Sequence, residues 1–230
     1  MIPPAGEPLF DAHAHLRAPL PPDFAGALLP GVRAAPHPPE LLADPRVHPA
    51  LGLHPWYVPD DPTDALATLA ALVAQTRPVA IGETGLDRSR RGAPRPAQER
   101  AFDAQIALAT ACDLPLILHV VRAHGLCLSL LRKAGFTGGG MVHDCRCSVE
   151  MVPRWVDAGF ALSISPGGVD RAAMIAAVPD RWLLVETDEA GSDQLPVVIA
   201  AVAAARGSTP ERIAELTRAN AERVFGLGPA

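Results

Sequence analysis

The chain has 230 residues and is 49% hydrophobic, a composition that provides for a sizeable buried core and argues against disorder. Its net charge of −5 argues against a protein that coats nucleic acid non-specifically, because such proteins present a basic surface. Four cysteines are too few for a disulfide scaffold in a chain of this length, so we expect reduced thiols.

The beginning of the chain carries no sign of export. Residues 1–7 contain neither a basic region nor an apolar stretch, so we predict no signal peptide. No apolar run approaches the length of a membrane span. We therefore expect a cytoplasmic protein without membrane contact.

Short apolar runs alternate with helical patterns along almost the whole chain. We predict eight strands, at residues 9–13, 27–32, 47–53, 78–83, 114–119, 139–143, 160–164 and 182–185. The predicted helices are residues 64–76, 97–112, 123–134, 149–158, 171–178, 195–206 and 210–225. Eight strands alternating with helices over about 200–250 residues are typical of a (β/α)8 TIM barrel.

The start of the chain departs from the regular barrel pattern. The stretch between the first two strands, residues 17–24, is rich in proline and too short for an ordinary helix. We therefore predict a distorted α/β TIM barrel whose first helix is reduced or missing. No linker or composition shift divides the chain, so residues 1–230 are predicted to form a single barrel domain.

Chemically active side chains recur where the predicted strands end, which is the face on which such barrels build their sites. The first strand runs into Asp11-Ala12-His13-Ala14-His15, a pattern that alone fits two surface histidines as well as a metal site. Five further strands end on a histidine or a carboxylate: His54, Glu83, His119, His143 and Asp188. Their arrival at one face of one barrel favours a metal centre.

Imidazoles and carboxylates in this number suffice for two divalent ions. We expect His13, His15 and Asp188 to hold one ion and His119 and His143 to hold the other. Glu83 has two oxygens and is the candidate bridge, because the only lysine, Lys133, lies in a helix and cannot supply a carboxylated-lysine bridge. Two ions about 3.5–4 Å apart can share a hydroxide that attacks a phosphodiester. Zinc, manganese, magnesium and iron all remain candidates.

A set of motifs in order along the chain resembles the TatD family of metal-dependent hydrolases, within the wider amidohydrolase-type barrels. The matching segments are Asp11 to Leu16, Gly52 to Pro55, Ile81 to Asp87, Gln98, Leu114 to His119, Val142-His143, Glu186 to Asp188, and Asn220 to Gly226. The resemblance implies a divalent-metal-dependent deoxyribonuclease, with Asp188 also as proton acceptor and with Glu83 and Asp188 as the catalytic residues. It further implies that the six ligands are the family's six metal positions.

Two segments depart from the family pattern. The loop after Asp188, residues 189–196, is short and lacks the usual Asn-x-Pro segment. After His143 the chain has Asp144-Cys145-Arg146-Cys147 in place of the usual aromatic and small residues. The metal core is therefore better supported by the resemblance than the substrate is.

Four residues near the ligands are candidates for substrate binding: His54, Arg88, Arg122 and Arg146. For His54 the alternative is a strand cap packed on Trp56, and for each arginine it is a solvated loop position. Asp87 and Glu186 are candidates for orienting the metal-binding side chains through hydrogen bonds, without binding metal themselves. We expect DNA or another phosphodiester as partner, and we favour a monomer.

Two other functions stay open from the sequence. The acidic net charge and the short loop after Asp188 fit a metal-dependent hydrolase of a small-molecule ester, amide or phosphoester. A catalytically inactive barrel that binds metal or a partner is the third, although the full ligand set argues against it.

Overall fold

Eight parallel strands form one sheet, in sequence order, in a computed structural model that describes residues 8–89 and 93–228. The strands are β1 (Leu9–Asp11), β2 (Phe24–Leu29), β3 (Val47–Leu51), β4 (Ala80–Asp87), β5 (Leu116–Val121), β6 (Gly140–Val142), β7 (Phe160–Ile164) and β8 (Leu183–Val185). The helices are α1 (Pro39–Leu42), α2 (Thr63–Thr76), α3 (Arg95–Cys112), α4 (His124–Lys133), α5 (Val152–Asp157), α6 (Ala172–Ala177), α7 (Leu195–Arg206) and α8 (Pro210–Val224). The predicted (β/α)8 barrel is confirmed. The signal-peptide prediction concerned residues 1–7, which lie outside the described residues.

Backbone hydrogen bonds join the last strand to the first. Ala12 N donates to Val185 O at 3.0 Å, and Ala14 forms a parallel bridge with Asp188. The sheet thereby has no free edge along this seam. Leu28, Ile117 and Leu184 are fully buried within the barrel strands, as expected for a parallel sheet covered on both faces.

No helix lies between β1 and β2 in residues 12–23, as the proline-rich sequence predicts. Helix α8, which follows β8 in the chain by way of α7, instead packs on both β1 and β8. Only the four-residue α1 intervenes between β2 and β3. The barrel is therefore distorted on the side of its first strands.

Several element bounds differ from the prediction for local reasons. Strand β2 lies three residues earlier than predicted, because Pro30 and Gly31 end it. Strand β4 extends four residues beyond Glu83, since its pairing with β5 shifts register between Ile81 and Thr84 and then continues to Asp87. The predicted helix at 149–158 begins instead with a 3-10 turn, Val149–Met151, ahead of α5.

Glycine allows β4 and β5 to lie unusually close. Gly85 has a φ of +135°, and a Cβ atom there would collide with the carbonyl oxygen of His119. Because of this close approach, β4 lies directly against β5 at His119. Among the described helices, none has the length and apolarity that crossing a bilayer demands. That residues 1–230 form one domain stays a prediction.

Candidate metal centre

The seam between β1 and β8 positions three of the predicted ligands. His15 N donates to Asp188 O at 3.0 Å, and Asp188 N donates to His13 O at 2.8 Å. These bonds place both imidazoles and the Asp188 carboxylate on the same side: Asp188 Oδ1 lies 3.5 Å from His15 Nε2 and 3.9 Å from His13 Nε2.

Glu83 stands at the middle of the cluster, and its two carboxylate oxygens face different histidines. Oε2 lies 3.4 Å from His13 Nε2 and 3.7 Å from His15 Nε2. Oε1 lies 3.0 Å from His119 Nδ1 and 2.8 Å from His143 Nε2. The carboxylate is thus in contact with both halves of the predicted ligand set.

Two further carboxylates contact the opposite nitrogens of two histidines. Asp87 Oδ2 lies 3.2 Å from His119 Nε2, and Glu186 Oε1 lies 3.4 Å from His143 Nδ1. Each contact orients its ring so that the remaining nitrogen faces Glu83, which is how carboxylates orient metal-binding histidines in proteins. Glu186 Oε1 also accepts a hydrogen bond from Asp144 N at 2.7 Å.

Asp11, the first acidic residue of the opening motif, faces away from this cluster. It is fully buried and accepts hydrogen bonds from Thr187 Oγ1 at 2.6 Å and Thr187 N at 3.0 Å. Burial raises the pKa of Asp11 to about 7. Its role is therefore to tie the segment after β1 to the segment after β8.

Two buried glutamines of α3 fix the loops that carry the site. Gln98 Oε1 accepts from Asp87 N at 2.9 Å, and its Nε2 donates to Asp87 O at 3.0 Å. Gln105 binds the backbone of Leu53 in the same two-sided way, at 2.8 Å and 3.1 Å. The two glutamines therefore satisfy the buried backbone N–H and C=O groups of Asp87 itself and of Leu53, the residue before His54.

Burial and the surrounding charges set the protonation of the cluster. Burial alone would raise the pKa of Glu83, but the neighbouring histidines, His143 foremost, hold that pKa well below its usual value. Burial and then the proximity of His143 lower the pKa of His13 to about 3. Glu83 is thus an anion and His13 a neutral imidazole, the forms in which these side chains bind metal.

The residues present fit a metal ion. Three overlapping groups bring their ligand atoms within 4.8 Å of one another: His13, His143 and Asp188; His13, His15 and Glu83; and His54, Glu83 and His119. Neither ring nitrogen of the fully buried His13 makes a hydrogen bond to any described residue. A buried imidazole without a hydrogen bond is unfavourable, and a cation beside its lone pair would satisfy it.

The cluster opens into a central cavity of about 290 Å³. Its lining residues are His15, Val32, His54, Trp56, Tyr57, Glu83, His119, His143, Asp188 and Glu189. All the predicted ligands except His13 line it, since His13 lies completely beneath the surface.

The predicted substrate residues divide into two groups. His54 lines the cavity, with Nε2 3.0 Å from Glu83 Oε1, closer to the ligands than the prediction placed it. The three arginines do not line it. Arg88 pairs with Glu99 at 3.2 Å, Arg146 pairs with Asp144 at 2.9 Å, and Arg122 is exposed. Their substrate role stays a prediction.

The sequence-based prediction named Trp56 only as a packing partner of His54 and did not name Tyr57, yet both residues line the cavity. Trp56 and Tyr57 follow His54-Pro55, and both are about one-third exposed. The guanidinium of Arg33 lies 3.6 Å from the centre of the Tyr57 ring, a cation–π contact. The signal was present, because a Trp-Tyr pair directly after a strand end stands on the functional face of a barrel.

Comparison with known proteins places these features in one family. Residues 40–226 match the family model described as TatD related DNase. The chain is 35% identical over 208 residues to an uncharacterized metal-dependent hydrolase TatD of Mycobacterium tuberculosis, covering 80% of this chain and 78% of the relative. It is 29% identical over 199 residues to a 3'-5' ssDNA/RNA exonuclease TatD of Citrobacter rodentium, covering 76% of each chain.

Solved structures agree on the fold. A crystal structure of a TatD homologue from Escherichia coli K12 superposes with a TM-score of 0.85 at 24% identity, over 96% of this chain and 98% of the other. At that identity the likeness concerns the barrel itself.

Proposed function

The chain belongs to the TatD related DNase family of metal-dependent hydrolases, and from this premise we propose that it cleaves the phosphodiester bonds of DNA with the help of two divalent ions. The observation that carries the proposal is the position of Glu83. Its Oε2 faces His13 and His15, while its Oε1 faces His119 and His143. A carboxylate between two sets of histidines is suited to bridge two cations.

In this proposal His13, His15 and Asp188 would hold one ion, His119 and His143 would hold the other, and Glu83 would contribute to both sites. Ions bound there would supply Lewis acidity, which makes water a stronger nucleophile and neutralises charge on the phosphate. The ligand types do not select one metal, because imidazole and carboxylate bind zinc, manganese and iron and, more weakly, magnesium.

The chain's own groups then have assigned tasks. Asp188 Oδ1, on a side chain one-third exposed at the cavity wall, takes the proton that the attacking water loses. The oxygen of that water bonds to phosphorus, the ester bond to the departing sugar oxygen breaks, and that oxygen takes up a proton from solvent water, while Asp188 later releases its proton to solvent. Asp87 and Glu186 keep the rings of His119 and His143 in place.

Nucleic acid as substrate is supported by relatives named as exonucleases of single-stranded DNA and RNA. It is also supported by the aromatic residues Trp56 and Tyr57 on the cavity wall. We propose that His54, beside Glu83, contacts the substrate or completes the second ion's ligands, and we assign no direct phosphate contact to Arg88, Arg122 or Arg146.

A second candidate is a hydrolase of a small phosphoester or carboxylic ester. The cavity lining favours it in one respect, because none of the three predicted arginines reaches it and Asp188 and Glu189 make one wall acidic. Such a wall is a poor surface for a long polyanion unless bound cations offset its charge.

The deciding experiment offers both substrate classes to the same preparation. Single-stranded and duplex DNA, RNA, bis(p-nitrophenyl) phosphate and p-nitrophenyl acetate are incubated with Mg²⁺, Mn²⁺ or Zn²⁺, with and without chelator. We expect metal-dependent shortening of DNA that Glu83→Gln abolishes while remaining folded. DNA left intact under every metal contradicts the nuclease proposal, and turnover of the acetate alone supports the small-molecule candidate.

A further inference from the structure

The central cavity has an aromatic wall that the metal chemistry does not use. Trp56 is 36% exposed and Tyr57 is 37% exposed, and they are the two aromatic residues among the large apolar side chains exposed in residues 8–89 and 93–228. Tyr57 is the chain's single tyrosine. Scattered exposed apolar residues are ordinary, but two adjacent aromatic rings lining one cavity point to a ligand.

Trp56 is held in place beside the candidate ligands. Its backbone N–H donates to His54 Nδ1 at 3.0 Å, and its indole Nε1 donates to Asp87 Oδ2. The indole ring lies 5.8 Å from the ring of His119, edge to face. Anything that packs on Trp56 inside the cavity is therefore next to the candidate metal centre.

Tyr57 is fixed by different contacts. Its backbone N–H donates to His54 O at 2.9 Å, and the guanidinium of Arg33 lies over its ring at 3.6 Å. The cation restrains the ring and adds positive charge beside it. Arg33 is exposed, so its charge is accessible from solvent beside Tyr57.

Other residues that line the cavity have another character: His15 and Asp188 are candidate metal ligands, and Glu189 is a further carboxylate. A ligand suited to both sets of residues has a flat aromatic face at one end, for Trp56 and Tyr57. At the other end it has an anionic group that can bind cations held by the candidate ligands. A nucleotide has both parts, because every base offers a π face that stacks on aromatic side chains without regard to sequence.

We propose that Trp56 and Tyr57, with Arg33 behind Tyr57, stack the nucleobase next to the phosphate that is cleaved. This inference rests on the proposed function and names residues that select its substrate. A base within a duplex has both faces covered by its neighbours, so the wall favours an unpaired terminal base.

Substitution of Tyr57 tests the wall with least disturbance of the metal centre, because Trp56 is bonded to Asp87. Tyr57→Leu removes the ring, and Tyr57→Phe keeps it as the matched control. Loss of one stacking contact raises KM for single-stranded DNA by roughly 5- to 150-fold. We expect that rise for Tyr57→Leu with kcat nearly unchanged, and less than about a two-fold change for Tyr57→Phe.

An oligonucleotide with an abasic terminal residue completes the cycle. The wild type should show a raised KM on it, and Tyr57→Leu should show a smaller further rise than the wild type, because the Tyr57 contact is already absent and only the Trp56 contact remains to be lost. An unchanged KM for Tyr57→Leu on the ordinary oligonucleotide overturns the proposal. An equal loss on both oligonucleotides overturns it as well.

A binding measurement separates this inference from the nuclease proposal. Deoxyadenosine monophosphate, added to the intact protein, should quench the fluorescence of Trp56, and Trp56→Phe should abolish the quenching because Trp155 is fully buried and Trp182 lies at the other end of β8. If the wild type cleaves no nucleic acid but shows this quenching, the nuclease proposal is wrong and the proposal that Trp56 and Tyr57 stack a nucleobase is supported. Absence of quenching in the wild type contradicts the stacking proposal, even if Tyr57→Leu does not fold.

Discussion

His119 Nε2 lies 3.2 Å from Asp87 Oδ2, and this contact turns the other ring nitrogen of His119 toward Glu83. The same carboxylate accepts a hydrogen bond from Trp56 Nε1. Asp87 thus connects a candidate metal ligand to the aromatic wall. Hydrogen bonds from His119, Ser89 and Trp56 outweigh burial and hold the pKa of Asp87 below its usual value, so the group is an anion.

Asp87→Asn should weaken metal binding without unfolding the barrel. Loss of a carboxylate behind a metal-binding histidine typically costs about 10–100-fold in metal affinity or activity. Metal content after dialysis and metal titration by calorimetry measure it. Trp56→Phe, which removes the indole hydrogen bond but leaves the Asp87 charge, is the control and should retain near-normal affinity. Full metal content in Asp87→Asn would contradict this role.

Divalent metal should raise the melting temperature. An ion bound only by the folded state, at about 100 times its Kd, stabilises by about 2.7 kcal/mol. At about 2–4 °C per kcal/mol for a chain of this size, the rise is roughly 5–10 °C. Scanning calorimetry with metal and with chelator measures it.

The melting experiment has a matched pair of histidine variants. His13→Ala should reduce the metal-induced rise, because His13 lies in two of the three candidate ligand groups, whereas His54, Glu83 and His119 form a group without it. His48→Ala should retain the rise, since His48 stacks on Phe10 at the opposite end of the barrel, at 5.9 Å between ring centroids. A similar rise in both variants would show that metal binds elsewhere.

Gln105→Leu should destabilise the fold markedly. The substitution leaves both the N–H and the C=O of Leu53 without their buried partner, at about 1–3 kcal/mol for each group. We expect the free energy of unfolding to fall by about 2–6 kcal/mol in urea titration. Gln75→Leu on the exposed side of α2 makes the same chemical change and should stay within about 0.5 kcal/mol of the wild type.

Thiol reactivity should distinguish one cysteine from the others. Cys112 is exposed, whereas Cys127, Cys145 and Cys147 are buried. Burial raises the pKa of Cys127 to about 12, so at pH 8 only about one Cys127 in 10⁴ carries the reactive thiolate. Raising the pH toward that pKa increases the thiolate fraction, although access still limits the reaction.

A disulfide-exchange reagent such as DTNB at pH 8 should therefore label one thiol per native chain quickly. Cys112→Ser should abolish the fast phase, and denaturant should release four thiols from the wild type. Rapid labelling of two or more thiols in native Cys112→Ser would contradict the burial of the other cysteines.

The eight strands and the convergence of the ligand-bearing segments were predictable from sequence, because parallel strands all end on one face of the barrel. The length of β4 was not, since the shift in its pairing with β5 between Ile81 and Thr84 depends on contacts with another strand. That shift places Glu83 inside the strand rather than at its end.

Two of the arginines proposed to bind substrate have carboxylate partners, and the sequence indicates only one of these partners. Arg146 pairs with Asp144, two residues earlier, a partner that the sequence already offers. Arg88 pairs with Glu99 on α3, which only the folded loop brings near. The orientation of His119 by Asp87 could be proposed from sequence as a possibility, but which ring nitrogen faces Glu83 required the structure.

The seam between β1 and β8 has a consequence for the newborn polypeptide. His13 and His15 leave the ribosome more than 170 residues before Asp188, yet the backbone bonds that hold the three together run between those two segments. Domains are completed in the order of translation. An emerging chain therefore carries His13 and His15 without Asp188 beside them until β8 and the segment after it have docked on β1.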